Sequence, residues 1–247
     1  MLIYIKGSLL MYLTYYLLGF ILLPGIIFAC YAQNKVNSSF NKYKDMNYSQ
    51  TKLVHERARF LLDSMGCSHV KITRTSGHLT DHYNPKTETV ALSETVYDST
   101  SVASLGIACH EIGHVLQKKQ GYPLMKLRTL LIPLINFGSM LMWPLVIIGL
   151  ILEFTTYFYT GQVLIIIAIA IFGLSVLFSA ITIPIEKDAS KRAYKMLVET
   201  GELTEEEGIG VKKVLDSAAL TYIASFTISL LAFVRFILYI FMSRKRD

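Results

Sequence analysis

The stretch that decides the fold is IACHEIGHVLQKKQGYP, residues 107–123, in which His110, Glu111 and His114 fall within five positions. Apolar residues recur around them at helical spacing, which predicts a helix, here called the motif helix. Residues i and i+4 lie on one face of a helix, so both imidazoles can bind one zinc ion. Glu111 is rotated off that axis, where it can take a proton from a water on the metal. The pattern therefore predicts a zinc site with His110 and His114 as ligands and Glu111 as general base.

These three residues could instead be ordinary polar positions on a helix surface. Chance produces the His-Glu-x-x-His spacing in a chain of this composition on the order of once in a hundred. Their neighbours, among them Ile107, Ile112 and Val115, are apolar, which disfavours a solvated face. Burying two imidazoles and a carboxylate without a partner would be costly. The zinc interpretation is therefore favoured.

A catalytic zinc ion of this type needs a third protein ligand and keeps one coordination position open. The stretch PIEKDASKRA, residues 184–193, offers Glu186 and Asp188 where a long apolar run ends. A glutamate at a helix start is ordinarily a favourable partner of the helix dipole. Alternatively, a helix that returns from the membrane beside the motif helix can bring one carboxylate to the metal. The residues alone leave both interpretations open.

Long uncharged runs give the chain its apolar character. Its 247 residues are 53% hydrophobic and only 17% charged, against roughly 25% charged in an average soluble domain. Four runs can each supply the ~20 apolar residues that cross a hydrocarbon core. We expect the first to be a retained anchor, because its apolar length is about twice that of a signal-peptide core. The predicted transmembrane helices lie near 9–32, 129–152, 162–184 and 219–242.

The polar stretches between these runs predict a small zincin-like unit. Helical spacing predicts one helix over 49–66, capped by its first serine, and the motif helix over 101–121. HVKITRT alternates between apolar and polar residues, which predicts a strand. Two short extended runs around Asn84 predict a hairpin, so together these segments predict a short antiparallel sheet. Further helices are expected to begin at Glu186 and Thr204. The predicted fold class is α+β: a mostly helical integral membrane protein with about four transmembrane helices and a small unit of sheet plus motif helix.

The predicted spans also define the topology. Thirteen Lys and Arg residues flank the spans on the side of the polar segments and five on the other, which favours the cytoplasm, although the terminal RKR argues the other way. We expect a multi-pass protein of the cell membrane with its catalytic segment at the cytoplasmic face. The segments are transmembrane helix 1 (1–33), the zincin-like segment (34–128), transmembrane helices 2 and 3 (129–185), a helical segment supplying the third ligand (186–218), and transmembrane helix 4 with a basic tail (219–247).

The net charge of +6 is spread along the polar segments and forms no single patch. This distribution fits a membrane-bound protein with basic flanks better than a nucleic-acid binder. Three cysteines without paired spacing predict no disulfide framework. The expected partners are a peptide or protein substrate, membrane proteins included, and the lipid bilayer, and the oligomeric state stays open.

Six segments of the chain recur together, in this order, in one known family. They are YAQNKVNSSFNKY, GHLTDHYNPKTETVALSETVY, ACHEIGHVLQ, LRTLLIPLINFGS, PIEKDASKRA and VLDSAALTYIAS. Through them the chain resembles the YugP-type neutral zinc metallopeptidases of bacterial membranes over nearly its whole length. The resemblance implies one Zn²⁺ per chain, bound by His110, His114 and Glu186, with Glu111 as catalytic base. It leaves the substrate undefined.

More distantly, the chain is similar to membrane gluzincin proteases, in which an aspartate follows the third-ligand glutamate by four residues. Here that position is Ser190, while Asp188 comes earlier. Asp188 is therefore a candidate to orient a zinc-bound histidine without binding the metal itself.

Several further residues are weaker candidates. Asp81 and His82, in TDHYNP, belong either to a network around the metal, to a substrate-binding edge, or to a turn that holds a hairpin. Arg192 and Tyr222 are candidate donors to the negative charge that develops on the attacked carbonyl. The strand over 87–92 is a candidate to bind substrate backbone as an added strand. We expect the lone histidines to be structural or on the surface: His55, His69 and His78.

Together these observations predict a membrane-embedded zinc-dependent metallopeptidase of the gluzincin type. One alternative is a zinc-stabilised but proteolytically silent membrane scaffold, which the presence of Glu111 disfavours. Another is a metal transporter, which needs polar or ionisable groups inside its spans. These spans offer only Asn136, hydroxyl residues and Arg235 near one end, so the transporter is disfavoured as well.

Overall fold

The computed structural model describes residues 18–49, 52–201 and 203–244. Their contacts divide them into two compact units, each built from separate stretches of the chain. The motif unit comprises Ala32–Leu127 and Ile183–Tyr222, and so contains the motif helix. The apolar unit comprises the described residues up to Tyr31, then Arg128–Thr182, and those from Ile223 onward.

Most of the described chain is helical, and a small three-stranded sheet completes the α+β architecture. The strands are β1 (Lys71–Thr75), β2 (His82–Asn84) and β3 (Thr89–Ser93). The α-helices are α1 (Leu23–Tyr43), α2 (Val54–Ser64), α3 (Glu94–Tyr97), α4 (Val102–Lys119), α5 (Pro123–Glu153), α6 (Phe158–Glu199) and α7 (Glu205–Arg244).

Three helices are long and apolar enough to cross a membrane, as judged by length and composition among the described residues: α5, α6 and α7 up to Phe241. Large apolar side chains on α5 are exposed, for instance Leu130 (74%) and Met140 (77%). Exposed apolar surface of this kind suits contact with lipid. The first predicted span, 9–32, begins within residues 1–17, which lie outside the described part of the chain, so the count of four spans stays a prediction.

Helix α6 joins an apolar, membrane-length run to the segment that carries Glu186 without a break. The prediction that a new helix begins at Glu186 is therefore wrong. Pro184 lies inside α6, where it removes one i→i−4 hydrogen bond, and local sequence rules treat such a proline as a boundary. The turns on both sides of it remain helical, so one element carries both the apolar run and Glu186.

Side-chain caps fix the starts of helices in the motif unit. The Ser101 hydroxyl oxygen accepts a hydrogen bond from the Ser104 N–H (3.1 Å) at the start of α4, as the sequence predicts. At the start of α7, Thr204 and Glu207 exchange side chain–backbone hydrogen bonds of 2.8 and 3.3 Å. The start predicted for α2 at Ser49 is wrong, because α2 begins further along the chain and the Ser49 hydroxyl donates to Glu207 Oε2 (3.0 Å) instead.

The sheet has the order β1-β3-β2, so β3 is its central strand. β2 pairs antiparallel with β3, as predicted for a hairpin, but β1 pairs with β3 in parallel. The prediction of a purely antiparallel sheet is therefore wrong, since alternating residues predict a strand but not its pairing direction. Val90 and Leu92 are fully buried whereas β1 is largely exposed. The most apolar strand takes the central position and β1 forms an edge.

The central position of β3 also overturns the predicted substrate strand over 87–92. Thr89, Val90 and Ala91 pair with β1 on one side and with β2 on the other. A strand paired on both sides has its backbone hydrogen-bonding groups already satisfied. Substrate backbone therefore cannot pair with residues 89–91 as an added strand.

Helix α4 lies at the centre of the motif unit. Its fully buried Leu105, Ala108 and Ile112 share one hydrophobic core with residues of α2, β3, α6 and α7. Burying one large aliphatic side chain stabilises a protein by about 1.5–3 kcal/mol relative to leaving it exposed. The apolar face thus fixes α4 in place and leaves its polar face to carry His110 and His114.

Candidate metal centre

A backbone contact between α4 and α6 sets the geometry of the site. Gly113, in the middle of the His-Glu-x-x-His motif, faces the backbone of Ala189. A Cβ at position 113 would lie 2.4 Å from the Ala189 carbonyl oxygen, so only glycine permits this approach. The contact brings the turn of α6 that carries Glu186 against the turn of α4 that carries the two histidines.

The side chains of His110, His114 and Glu186 converge where the two helices meet. Glu186 Oε2 lies 3.1 Å from His110 Nε2 and 3.2 Å from His114 Nε2. The two imidazole rings are nearly perpendicular, at 83°, and their centroids are 4.8 Å apart. Both His114 and Glu186 are buried. One ligand atom from each of the three residues lies within 4.8 Å of the other two, a grouping that could hold a metal ion.

The chemistry of this donor set fits zinc. Two imidazole nitrogens and one carboxylate oxygen form a known ligand set of catalytic zinc. With zinc–ligand bonds of about 2.0–2.1 Å, neighbouring ligand atoms of a tetrahedron lie about 3.3 Å apart. The nitrogen–oxygen distances of 3.1 and 3.2 Å are close to that edge length. The carboxylate oxygen therefore lies at a suitable spacing from each imidazole nitrogen for both to bind one small divalent cation.

The charges around His114 also favour a cation. Burial lowers the pKa of His114, but the hydrogen bond to Glu186 and the negative charge of Glu111 outweigh burial, so the pKa lies above its usual value. The two carboxylates thus stabilise positive charge at this point of the motif unit.

Each histidine has a hydrogen-bond partner on its other ring nitrogen. His110 Nδ1 lies 3.1 Å from Ser190 Oγ, and His114 Nδ1 lies 3.0 Å from Gln117 Oε1. Contacts of this kind orient metal-binding imidazoles. Here they leave both Nε2 atoms directed toward Glu186.

Gln117 is the residue of this site that the sequence did not single out. It is fully buried on α4, and its Nε2 donates to Asp188 Oδ2 at 2.8 Å. Asp188, a candidate orienting residue, thus reaches His114 through Gln117 rather than directly. The three-residue spacing between His114 and Gln117 places both on one helix face. A single glutamine in an apolar helix does not indicate such a role from the sequence alone, because its partners lie on α6.

Glu111 borders a cavity of about 280 Å³ beside the cluster. Its side chain is 7% exposed, and within the described part of the chain no hydrogen bond or ion pair involves its carboxylate. A carboxylate in that position can exchange a proton with a molecule in the cavity. The cavity is lined by Gln33, Val36, Phe40, Leu79, Asp81, Ile107, His110, Glu111, Val214, Leu215, Ala218, Thr221 and Tyr222.

The weaker candidates divide into two groups. Asp81 and Tyr222 line the cavity, whereas His82 and Arg192 do not. Asp81 accepts hydrogen bonds from the Ser93 N–H (2.7 Å) and the Ser93 hydroxyl (2.9 Å), which ties the loop before β2 to the end of β3. Burial raises the pKa of the Asp81 carboxyl in spite of these hydrogen bonds. Asp81 therefore both holds the hairpin and forms part of the cavity wall.

His82 and Arg192 are engaged elsewhere. The Arg192 Nε donates to Asp188 Oδ2 at 2.5 Å, and a second guanidinium nitrogen donates to Gln120. His82 is exposed, with Nδ1 2.9 Å from the Thr80 carbonyl oxygen. Among the lone histidines, His55 stacks on Tyr97, His69 lies beside Glu88, and His78 contacts the Phe40 ring.

Comparisons with known proteins identify the family. The family described as "Putative neutral zinc metallopeptidase" matches residues 18–241. The "Putative membrane protease YugP" of Bacillus subtilis (strain 168) is 36% identical over 228 residues, which cover 92% of this chain and 98% of that relative. No solved structure matches the chain. This similarity and the three membrane-length helices indicate a membrane protein. The chain belongs to the neutral zinc metallopeptidase family that these matches define.

Proposed function

We propose that the protein is a multi-pass, membrane-embedded zinc metallopeptidase of the His-Glu-x-x-His gluzincin type. The observation that carries the proposal is the convergence of two imidazoles and one carboxylate beside a buried glutamate and a cavity. Membership of a zinc metallopeptidase family supports peptidase chemistry. The substrates are peptides or proteins, membrane proteins included. The basic residues that flank the spans favour a site at the cytoplasmic face.

In this proposal His110, His114 and Glu186 hold one zinc ion per chain. When bound, zinc lowers the pKa of water and polarises a carbonyl group. The contacts of the two Nδ1 atoms with Ser190 and Gln117 keep the metal-binding nitrogens in place.

Glu111 is the general base of the proposed reaction. It accepts a proton from the attacking water and delivers it to the amine nitrogen that leaves. Its carboxylate suits both steps, because it borders the cavity and no hydrogen bond within the described residues competes for its oxygen atoms.

The cavity holds the substrate beside Glu111. Apolar side chains in its wall, such as Ile107 and Val214, suit an apolar side chain of the substrate and limit the access of water. Tyr222 is the proposed donor to the oxygen of the attacked carbonyl, because it lines the same cavity. Arg192 is not assigned this role, since its guanidinium binds Asp188 and Gln120.

The experiment that tests the proposal compares the purified wild type with Glu111→Gln. Zinc content is measured by elemental analysis, and cleavage is measured on casein and on quenched fluorescent peptides. We expect about one zinc per chain in both proteins, as the ligand set predicts. Cleavage by the variant should fall by at least about 10²–10⁴-fold, because the proton acceptor is lost. The substitution barely changes side-chain size, so retained zinc serves as the control for folding.

A zinc-stabilised scaffold without proteolytic activity is the alternative. In that case both proteins bind zinc and neither cleaves any substrate. Equal cleavage by the wild type and by Glu111→Gln would contradict the assigned base. A wild type that binds no zinc would contradict the metal site.

A further inference from the structure

Gln117 is a polar side chain with no exposure to solvent, and both polar atoms of its amide have partners. Its Oε1 lies 3.0 Å from His114 Nδ1. Its Nε2 donates to the carbonyl oxygen of Ile185 at 2.8 Å and to Asp188 Oδ2 at 2.8 Å. The amide therefore connects a histidine on α4 with two acceptors on α6.

The partners of Gln117 permit only one orientation of its amide. An amide nitrogen carries two protons, and the Ile185 carbonyl and the Asp188 carboxylate can only accept. A rotated amide would place its oxygen against two acceptors in a buried position and would lose both hydrogen bonds to α6, which is costly. The Gln117 oxygen must therefore face His114.

This orientation determines which nitrogen of His114 carries the proton. The Gln117 oxygen can only accept, so the proton of a neutral His114 ring resides on Nδ1. The lone pair is then on Nε2, the atom 3.2 Å from Glu186 Oε2. The opposite tautomer would have its lone pair on the wrong side of the ring and could not bind a metal there.

Asp188 is itself held in place. The Arg192 Nε donates to Asp188 Oδ2 at 2.5 Å, and Arg192 also donates to Gln120, which follows α4. A chain of hydrogen bonds therefore runs from Arg192 through Asp188 and Gln117 to His114. Because it crosses from α6 to α4, it fastens together the two helices that supply the three clustered donors.

We propose that Gln117 is a positioning residue that fixes the ring orientation and tautomer of His114 and, with them, the affinity of the site for zinc. The inference rests on the proposed zinc site but not on proteolysis. Partners of this kind typically contribute 10–100-fold to metal affinity.

The experiment measures the zinc dissociation constant of the purified full-length protein by competition with a chelator, at one fixed pH. Gln117→Met keeps the approximate length of the side chain but removes all three hydrogen bonds. We expect its zinc affinity to fall by about 10–100-fold. The visible absorption spectrum of the Co²⁺-loaded protein should change as well, because the His114 ring is no longer held. Zinc binding and a Co²⁺ spectrum equal to those of the wild type would overturn the proposal.

A second pair of variants separates orientation from packing. Gln117 Nε2 and Arg192 Nε donate to the same oxygen, Asp188 Oδ2. Asp188→Asn keeps an oxygen at that place, so its zinc affinity should stay close to that of the wild type. Asp188→Leu fills similar space but removes this acceptor of the Gln117 amide, so its zinc affinity should fall. Equal zinc affinities for these two variants would overturn the inference.

Zinc affinity is measured without any peptide substrate, so the peptidase function and the positioning role of Gln117 can be refuted separately. A wild type that binds zinc and shows the expected Gln117 effects but cleaves nothing would refute the peptidase function alone. A wild type with full activity and no response of zinc affinity to Gln117→Met would refute the positioning role alone.

Discussion

The two units of the molecule treat their apolar side chains in opposite ways. In the motif unit, Leu61, Leu105 and Ile112 are fully buried in a core of their own. In the apolar unit, Met140 and Phe154 are 77% and 90% exposed. A soluble protein seldom exposes so much apolar surface, whereas a bilayer covers it. The motif unit is therefore stabilised by its own core, and the apolar unit relies on lipid.

Both units nevertheless contain a glycine at which two helix backbones touch. A Cβ on Gly113 would lie 2.4 Å from the Ala189 carbonyl oxygen, and a Cβ on Gly161 would lie 2.5 Å from the Gly149 carbonyl oxygen. In lipid, close packing at small residues replaces hydrophobic burial as the force that associates helices. The same kind of contact thus shapes the candidate metal centre in one unit and pairs α5 with α6 in the other.

The largest effect is expected from Gly113→Ala. The new methyl group overlaps the Ala189 carbonyl, so α6 must move away from α4 and carry Glu186 away from the histidines. Because a proposed zinc ligand itself is displaced, zinc affinity should fall by more than the 10–100-fold typical of orienting partners, to be measured by chelator competition. The matched control is Gly106→Ala on the same helix, whose Cβ would meet Val211 only at 3.4 Å. Equal zinc affinities for these two variants would contradict the role of the backbone contact.

Gly161→Ala tests the corresponding contact of the apolar unit. Over-packing against the Gly149 carbonyl should cost about 1–3 kcal/mol and lower the thermal unfolding temperature in lipid nanodiscs. Zinc affinity should change far less than in Gly113→Ala, because the three clustered donors belong to the motif unit. Gly173→Ala is the control, since its Cβ would meet the Phe233 ring at 3.4 Å. A loss of zinc affinity as large as that of Gly113→Ala would contradict this expectation and show that the Gly161 contact also affects the three clustered donors.

A smaller effect is expected from Asp81→Asn, which probes the polar contacts of the motif unit. The amide can no longer accept from both the Ser93 N–H and the Ser93 hydroxyl, and the loss of one hydrogen bond costs about 0.5–1.5 kcal/mol. Burial disfavours the charged form of Asp81 and raises its pKa, so removal of the charge offsets part of that cost. Thermal unfolding should therefore shift down modestly. Asp63→Asn, which breaks an exposed pair with Arg59 (2.7 Å), is the control and should leave the unfolding temperature nearly unchanged.

The sequence predicted those parts of the motif unit that depend on neighbours in the chain. Periodicity and capping residues are local, so the start of α4 at Ser101 and the shared face of His110 and His114 followed from the sequence. From the residues alone, Glu186 is open to two interpretations: a favourable partner of the helix dipole or a ligand of the metal. The contact between Gly113 and Ala189 is what places its carboxylate beside the histidines.

The parts that the sequence did not predict depend on contacts between distant segments. The parallel pairing of β1 with β3 needs the position of the whole sheet, and strand alternation carries no such information. Pro184 looks like a helix boundary in isolation, yet α6 continues through it. Gln117 acquires its partners only when Ile185 and Asp188 lie against α4. In each case a tertiary contact outweighed the local pattern.

The close approach at Gly113 narrows the set of sequences that can build this site. A Cβ at position 113 would lie 2.4 Å from the Ala189 carbonyl oxygen, so that position accepts only glycine. Of the two residues between Glu111 and His114, only the first is therefore free to vary, and the motif of this helix pairing is His-Glu-x-Gly-His. Any chain that packs the same two helices in this way should carry glycine at that position.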